Sequence, residues 1–249
     1  MSGHSKWSTI RHKKAATDAK RGKLFTKLVK EIMVAAKQGG GDIEMNPRLR
    51  TAVDVAKSQN MPMDNIERAV KKGTGELEGV NYVEVTYEGY GPDGIAVLID
   101  VLTDNKNRTQ PELRLTFHKK GGSISEQGSV SWMFDTKGLI VLDHNVADED
   151  DLMEIVLEAG AENLESDGQV YEVITSVADF DQVKQVLEDK NISWNLAELT
   201  KIPQNMIKVS DAEKAKKLIT LFEALEEHDD VQKLYSNADI EPSILENLS

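Results

Sequence analysis

Apolar residues recur at helical spacing through the first third of the chain. From Lys23 to Gln38, Leu24, Leu28 and Ile32 fall on one row and Phe25, Val29, Met33 and Ala36 on the next, a wide stripe with a period of about 3.6 residues. Gly39, Gly40 and Gly41 end the pattern. At about 100° per residue, Lys20, Lys23, Lys27 and Lys30 cluster within roughly 80° on the opposite side, so the spacing predicts a helix with a core face and a basic face. A second helix is expected from Pro47, which suits the first helical position with Asn46 as its cap, and it buries Leu49, Ala52, Val53 and Ala56. A third begins around Pro62, buries Ile66, Ala69 and Val70, and ends at Gly73. Three short helices of this kind form one small bundle.

After Gly79 the period changes to two. Val83, Val85 and Tyr87 alternate with Glu84, Thr86 and Glu88, the pattern of a half-exposed strand. Pro92, Asp93 and Gly94 turn the chain into Ile95 to Leu102, apolar almost throughout and expected to be a central strand. A helix follows from about Pro111 to Lys120, then a strand pattern near Ser129 to Phe134. From Gly138 the order reads strand (Leu139 to Leu142), helix (Asp148 to Ala159), strand (Ala161 to Glu165), strand (Val170 to Ser176), helix (Asp179 to Asp189), strand (Ser193 to Leu199). That is the βαββαβ order of a ferredoxin-like unit. The tail adds a strand at Met206 to Val209, a helix at Asp211 to Glu226 and a strand at Val231 to Asn237, which supply the second helix and closing strand that the middle region lacks. The expected fold class is therefore α+β, in three units: a basic arm and helical domain over 1–78, a discontinuous α+β domain over 79–135 plus 203–249, and an inserted ferredoxin-like domain over 136–202.

Composition adjusts this picture in two ways. With 249 residues, 39% apolar and 29% charged, the chain has the balance of an ordinary folded protein of more than one domain. It has no cysteine, which excludes disulfides, thiolate zinc sites and cysteine nucleophiles and fits a reducing compartment. The longest apolar run, Ile95 to Ile99, is too short to cross a bilayer, and the N-terminus lacks the apolar stretch of a secretory signal. A cytoplasmic location is expected. A mitochondrial presequence is the weaker alternative, because the helical pattern starts so early. The net charge of -13 would argue against a nucleic-acid partner if it were spread evenly. It is not: residues 1–75 hold 16 Lys and Arg against 7 Asp and Glu, a charge of +9, which leaves -22 on the remainder.

Candidate chemistry concentrates in the same place. Lys6, Arg11, Lys13, Lys14, Lys20, Arg21, Lys23, Lys27 and Lys30 stand against one acid, Asp18, with His4, Trp7 and His12 among them. Clustered cations displace counterions from a phosphate backbone, and an indole among them can stack on an unpaired base, which suits RNA or single strands at least as well as duplex DNA. The competing reading is that this row solvates a helix or docks on the acidic part of the same chain. The second and third helices offer a helix-turn-helix with Asn65, Arg68 and Lys72 on the reading face, or simply a packed pair. The loop Thr103 to Thr109 lies before a helix, so Asn105, Asn107, Arg108 and Thr109 are candidates to receive a phosphate or RNA backbone, or are turn formers and caps. Gly89, Gly91 and Gly94 match G-x-G-x-x-G, but they join two strands, so a turn with glycines at positive φ is expected in place of a dinucleotide loop. The five histidines are scattered, with no H-E-x-x-H, P-loop or nucleophile elbow, so neither catalysis, a metal nor a cofactor is expected.

Several stretches carry a more specific signal: GHSKW at Gly3 to Trp7, the basic run into RGKLF at Arg21 to Phe25, NPRLR at Asn46 to Arg50, NMPMDNIERAVKKG at Asn60 to Gly73, YEGYGPDG at Tyr87 to Gly94 and TDNKNRT at Thr103 to Thr109. Together they resemble the YebC family across the whole chain, a family whose mitochondrial members include the translational activator of cytochrome c oxidase subunit I. The resemblance implies a helical N-terminal domain with two α+β domains. It also implies a role in gene expression, either as a DNA-binding transcriptional regulator or as a translation factor on the ribosome or mRNA. The partners expected are accordingly rRNA and the ribosome, or promoter DNA, for a monomer that meets no membrane. The alternative is a scaffold whose acidic domains bind a basic protein.

Overall fold

The structure is a computed structural model and describes residues 18–166, 168–241 and 243–244, with side chains from residue 22 onward. Helices α1 (Asp18–Gly39), α2 (Pro47–Ser58) and α3 (Met63–Thr74) form the bundle. Its core holds Leu28, Ile32, Met33 and Ala36 of α1, Leu49 and Val53 of α2 and Ile66 and Ala69 of α3, the residues the periodicity selects. Asn46 caps α2 by accepting from the amide of Leu49, and its buried amide group donates to the carbonyls of Ala35 and Gly40, tying the α1 end to the α2 start. The third helix does not stop at Gly73. A Cβ there would lie 2.4 Å from the Met33 carbonyl oxygen, so this glycine lets α3 cross against the α1 backbone. The helix ends after Thr74, with Gly75 in the left-handed region at φ 85°.

Strands β1 (Val83–Tyr90) and β2 (Ala96–Thr103) form an antiparallel hairpin. In the connection only Gly94 and Asp93 take positive φ, 76° and 60°. Gly91 is at -78°, and Gly89 is inside β1, where a Cβ would meet the Ser123 carbonyl at 2.5 Å. The expectation of positive-φ glycines thus holds for one of the three. Helix α4 (Lys106–Lys119) starts five residues before Pro111, because Asn105 caps it by accepting from the Arg108 amide. A short β3 (Ser123–Ile124) follows.

Next come β4 (Phe134–Asp143), α5 (Glu149–Glu158), β5 (Ala161–Ser166), β6 (Val170–Thr175), α6 (Phe180–Asp189) and β7 (Leu196–Pro203). Their antiparallel sheet has the order β5-β6-β4-β7, with the last strand beside the first, as in a ferredoxin-like unit. The strand expected at Ser129 to Phe134 is instead a 3-10 turn at Ser131–Met133. The cause is Glu88, a buried carboxylate that accepts from the amides of Gly128, Val130 and Ser131 at 2.7, 2.7 and 2.9 Å and so takes the donors a strand ladder would need. Burial acts to raise its pKa, but these donors prevail and hold it below the usual carboxylate range.

The chain closes with β8 (Ile207–Val209), α7 (Ala212–Glu226), β9 (Val231–Ser236) and β10 (Ala238–Ile240). β9 pairs antiparallel with β2, completing the sheet β3-β1-β2-β9, while β10 pairs in parallel with β8. One core joins Ile99 and Val101 of β2, Leu113 and Phe117 of α4 and Leu218 and Phe222 of α7. The fold is α+β with antiparallel main sheets. No helix among the described residues is long and apolar enough to cross a membrane.

Candidate nucleic-acid interface

The lysine row of α1 does not face open solvent along its length. The Lys23 ammonium donates to the carbonyl of Glu227 at 3.1 Å, Lys27 to that of Glu226 at 2.6 Å and Lys30 to that of Asp229 at 2.9 Å. The last turn of a helix leaves carbonyls without intrahelical donors and carries the negative end of the macrodipole. Three cations spaced along α1 thus cap the end of α7 and the turn after it. This is the competing reading of the sequence, docking on the same chain, and the physical reason is the supply of unpaired carbonyls.

Lys30 goes further. Only 6% exposed, it pairs at 2.7 Å with Asp230, which is 3% exposed, and its ammonium lies 5.3 Å from the centre of the Tyr82 ring. Asp230 is also where the second candidate cluster ends. Arg108 donates to it at 2.8 Å and to Asp104 at 2.9 Å. Thr109, fully buried, donates to it at 2.6 Å and lies 2.7 Å from the Thr103 hydroxyl, which in turn accepts from the Asn105 amide at 2.9 Å. Because Thr109 spends its proton on Asp230, Thr103 is the donor to Thr109. Burial pushes the Asp230 pKa up, but the donors Lys30, Thr109 and Arg108 outweigh it and hold the carboxyl well below the ordinary range. The Arg108 pKa is raised by its bond to Asp230.

The Thr103 to Thr109 segment is therefore a capped helix start fastened to a buried carboxylate. Asn105, Arg108 and Thr109 each have partners within the chain, and Asn107 is exposed. Lys6, Trp7, Arg11, His12, Lys13 and Lys14 lie outside the described residues, as do the side chains of Lys20 and Arg21.

A second group of cations lies on α3. Asn65, Arg68 and Lys71 of α3 are exposed and Lys72 is half-exposed. None of the four has an ion pair or side-chain hydrogen bond among the described residues. Arg48 of α2, by contrast, is spent on Glu31 at 2.8 Å and on Glu84. The two rows thus meet different fates: the α7 end and Asp230 hold one, and the other has no partner among the described residues. Among the described residues no group of three or more His, Asp or Glu side chains is arranged to hold a metal.

The comparisons with known proteins give the family. A model of the TACO1/YebC N-terminal domain matches residues 5–76, and one of the TACO1/YebC second and third domain matches residues 82–238. The chain belongs to the TACO1/YebC family. Its relatives include a probable transcriptional regulatory protein of Desulforapulum autotrophicum, 59% identical over 96% of this chain and 97% of that one. Another, of Geobacter sulfurreducens, is 58% identical over the full length of both. The crystal structure of a conserved hypothetical protein from Aquifex aeolicus matches with a TM-score of 0.83 at 46% identity, covering 93% of this chain and 96% of that one. Within this family framework, residues that the sequence pattern did not single out are Asp230 and Glu88. Both look like ordinary surface acids in their sequence context, and only tertiary burial distinguishes them.

Proposed function

We propose that this TACO1/YebC member is a nucleic-acid-binding regulator of gene expression that works on RNA in a ribosomal setting. The observation that carries the reading is the open α3 row of Arg68, Lys71 and Lys72 on the same bundle that continues, in sequence, from the cations Lys6 to Arg21. Cations without intramolecular partners are the ones that can exchange counterions for phosphates. The relatives named as probable transcriptional regulatory proteins support a regulatory role, and promoter DNA is the other reading of that role. RNA is favoured on charge: residues beyond 75 carry -22 and would be repelled along an extended duplex, whereas a compact ribonucleoprotein offers local phosphate beside basic protein. Trp7, within the cationic segment, is suited to stack on an unpaired base.

Sedimentation of the protein in cell lysate, with and without RNase, tests the choice. Co-migration with ribosomal particles that RNase abolishes is expected. Absence from those particles, together with a footprint on duplex DNA that survives physiological salt, would replace RNA with DNA.

A further inference from the structure

The two main sheets end in four edges, and three of them are guarded. β9 and β7 face each other: Lys233 of β9 pairs with Glu198 of β7 at 2.7 Å, and the Lys201 ammonium of β7 sits 5.1 Å from the centre of the Tyr235 ring of β9 while pairing with Asp100 of β2 at 2.7 Å. β5 is interrupted by a register shift between Ala161 and Asn163 and carries Glu162 and Glu165, a bulge and like charges of the kind that discourage further pairing. At the fourth edge β3 covers β1 only at Gly89 and Tyr90. The stretch from Val83 to Tyr87 has no strand partner on that side among the described residues. It contains no proline, lysine or bulge, and its β-branched and aromatic residues are those that favour a strand.

Backbone alternation fixes what this edge offers. The Glu88 carbonyl accepts from the Ser125 amide at 2.8 Å, so the backbone groups of Thr86 and Glu84, two and four residues earlier, also point outward. Each presents one donor and one acceptor. A groove of about 440 Å³ runs beside them between β1 and α4, lined by Val85, Tyr87, Ile124, Ser125, Gln110 and Arg114. The Ser125 hydroxyl is buried with no hydrogen-bond partner among the described residues. Arg114 is exposed, with no ion pair among them.

We propose that the β1 edge takes up an extended segment of a partner protein as a fifth strand, with an apolar side chain against Val85 and Ile124 and an acidic side chain on Arg114. The alternating donors and acceptors select a polypeptide. The phosphates of a nucleic acid supply acceptors only, and its ribose hydroxyls do not repeat at the spacing of a strand, so the Glu84 and Thr86 carbonyls would not be paired in register. A second copy of this chain fits less well. The acids of its β1 are already committed, Glu84 to Arg48 and Glu88 to the amides of Gly128, Val130 and Ser131, so none is left for Arg114.

A phage-displayed library of random ten-residue peptides, panned against the full-length protein, tests this. Enriched peptides should alternate apolar and polar residues and contain an acid. Their binding to the full chain, read by fluorescence anisotropy, should fall at least about tenfold in Arg114→Glu, a loss equivalent to about 1.4 kcal/mol. Binding of the peptide should also slow hydrogen exchange at the amides of Glu84 and Thr86, and Thr86→Pro, which removes an outward donor, should abolish binding. Hydrogen exchange on the wild-type chain keeps the test decisive if the proline variant folds poorly. No enrichment, binding indifferent to Arg114→Glu, or unprotected edge amides would each overturn the proposal. So would protection of these amides by single-stranded RNA alone, or self-association that protects them without peptide.

Discussion

The two basic rows of the bundle differ in what stands opposite them. Lys23, Lys27 and Lys30 on α1 meet the carbonyl end of α7 and a buried carboxylate, whereas Arg68, Lys71 and Lys72 on α3 meet no partner among the described residues. Each row puts three cations on one helix. The difference teaches that a cationic helix face is a binding surface only where the fold leaves its ammonium groups without acceptors. The α1 row fastens the bundle to the α7 end and the start of β9, and the α3 row is the one we propose for phosphate.

If that division is right, breaking the fastening should cost more stability than any other single change on the bundle surface. Asp230→Ala strands the buried Lys30 ammonium and removes an acceptor from Arg108 and Thr109, and the loss of one member of such a pair costs about 3–5 kcal/mol. Urea unfolding should show the midpoint falling accordingly, and a loss below about 1 kcal/mol would mean that the clasp is not structural.

Acid should weaken the same joint. The Asp230 and Glu88 carboxyls are both held below the ordinary range, so their contribution is complete above about pH 5, where the unfolded groups are ionised, and is lost as pH falls through the unfolded values toward their depressed folded values. Unfolding free energy should therefore drop as pH falls below about 5, and Asp230→Asn should flatten that dependence by close to one proton. An unchanged slope in the variant would place the acid sensitivity elsewhere.

The smallest effect belongs to the carbonyl contacts. Lys23→Ala should cost about 0.5–1 kcal/mol, since it removes an exposed hydrogen bond near a helix end and leaves no buried charge behind. A cost equal to that of Asp230→Ala would show that the row acts as a single unit.

How much of this was legible beforehand follows from the range of each interaction. The helices and the ferredoxin-like sheet order read directly, because apolar period and turn chemistry are local, as at Asn46 and Pro47. The sequence pattern places the start of α4 too late, at Pro111: proline favours a first turn, but the Asn105 cap acts earlier. The Ser131–Met133 turn has the local pattern of a strand because its determinant, Glu88, lies more than forty residues upstream on another element. The fate of the α1 lysines depended on α7 carbonyls about two hundred residues away, and carbonyls leave no mark in a side-chain pattern. Asp230 sits in a run of acids from Glu226, and nothing in that run tells which one is buried.

The most direct measurement compares the rows on one ligand: affinity of the full chain for a single-stranded RNA of about twenty nucleotides across a salt series. The triple variant Arg68→Glu, Lys71→Glu, Lys72→Glu should bind at least about tenfold more weakly and lose roughly two units of the log–log salt slope, as about three phosphate contacts require. The pair Lys23→Ala, Lys27→Ala should leave that slope unchanged. The reverse pattern, with the α1 pair lowering the slope and the α3 variant binding as wild type, would contradict the division of labour between the two rows.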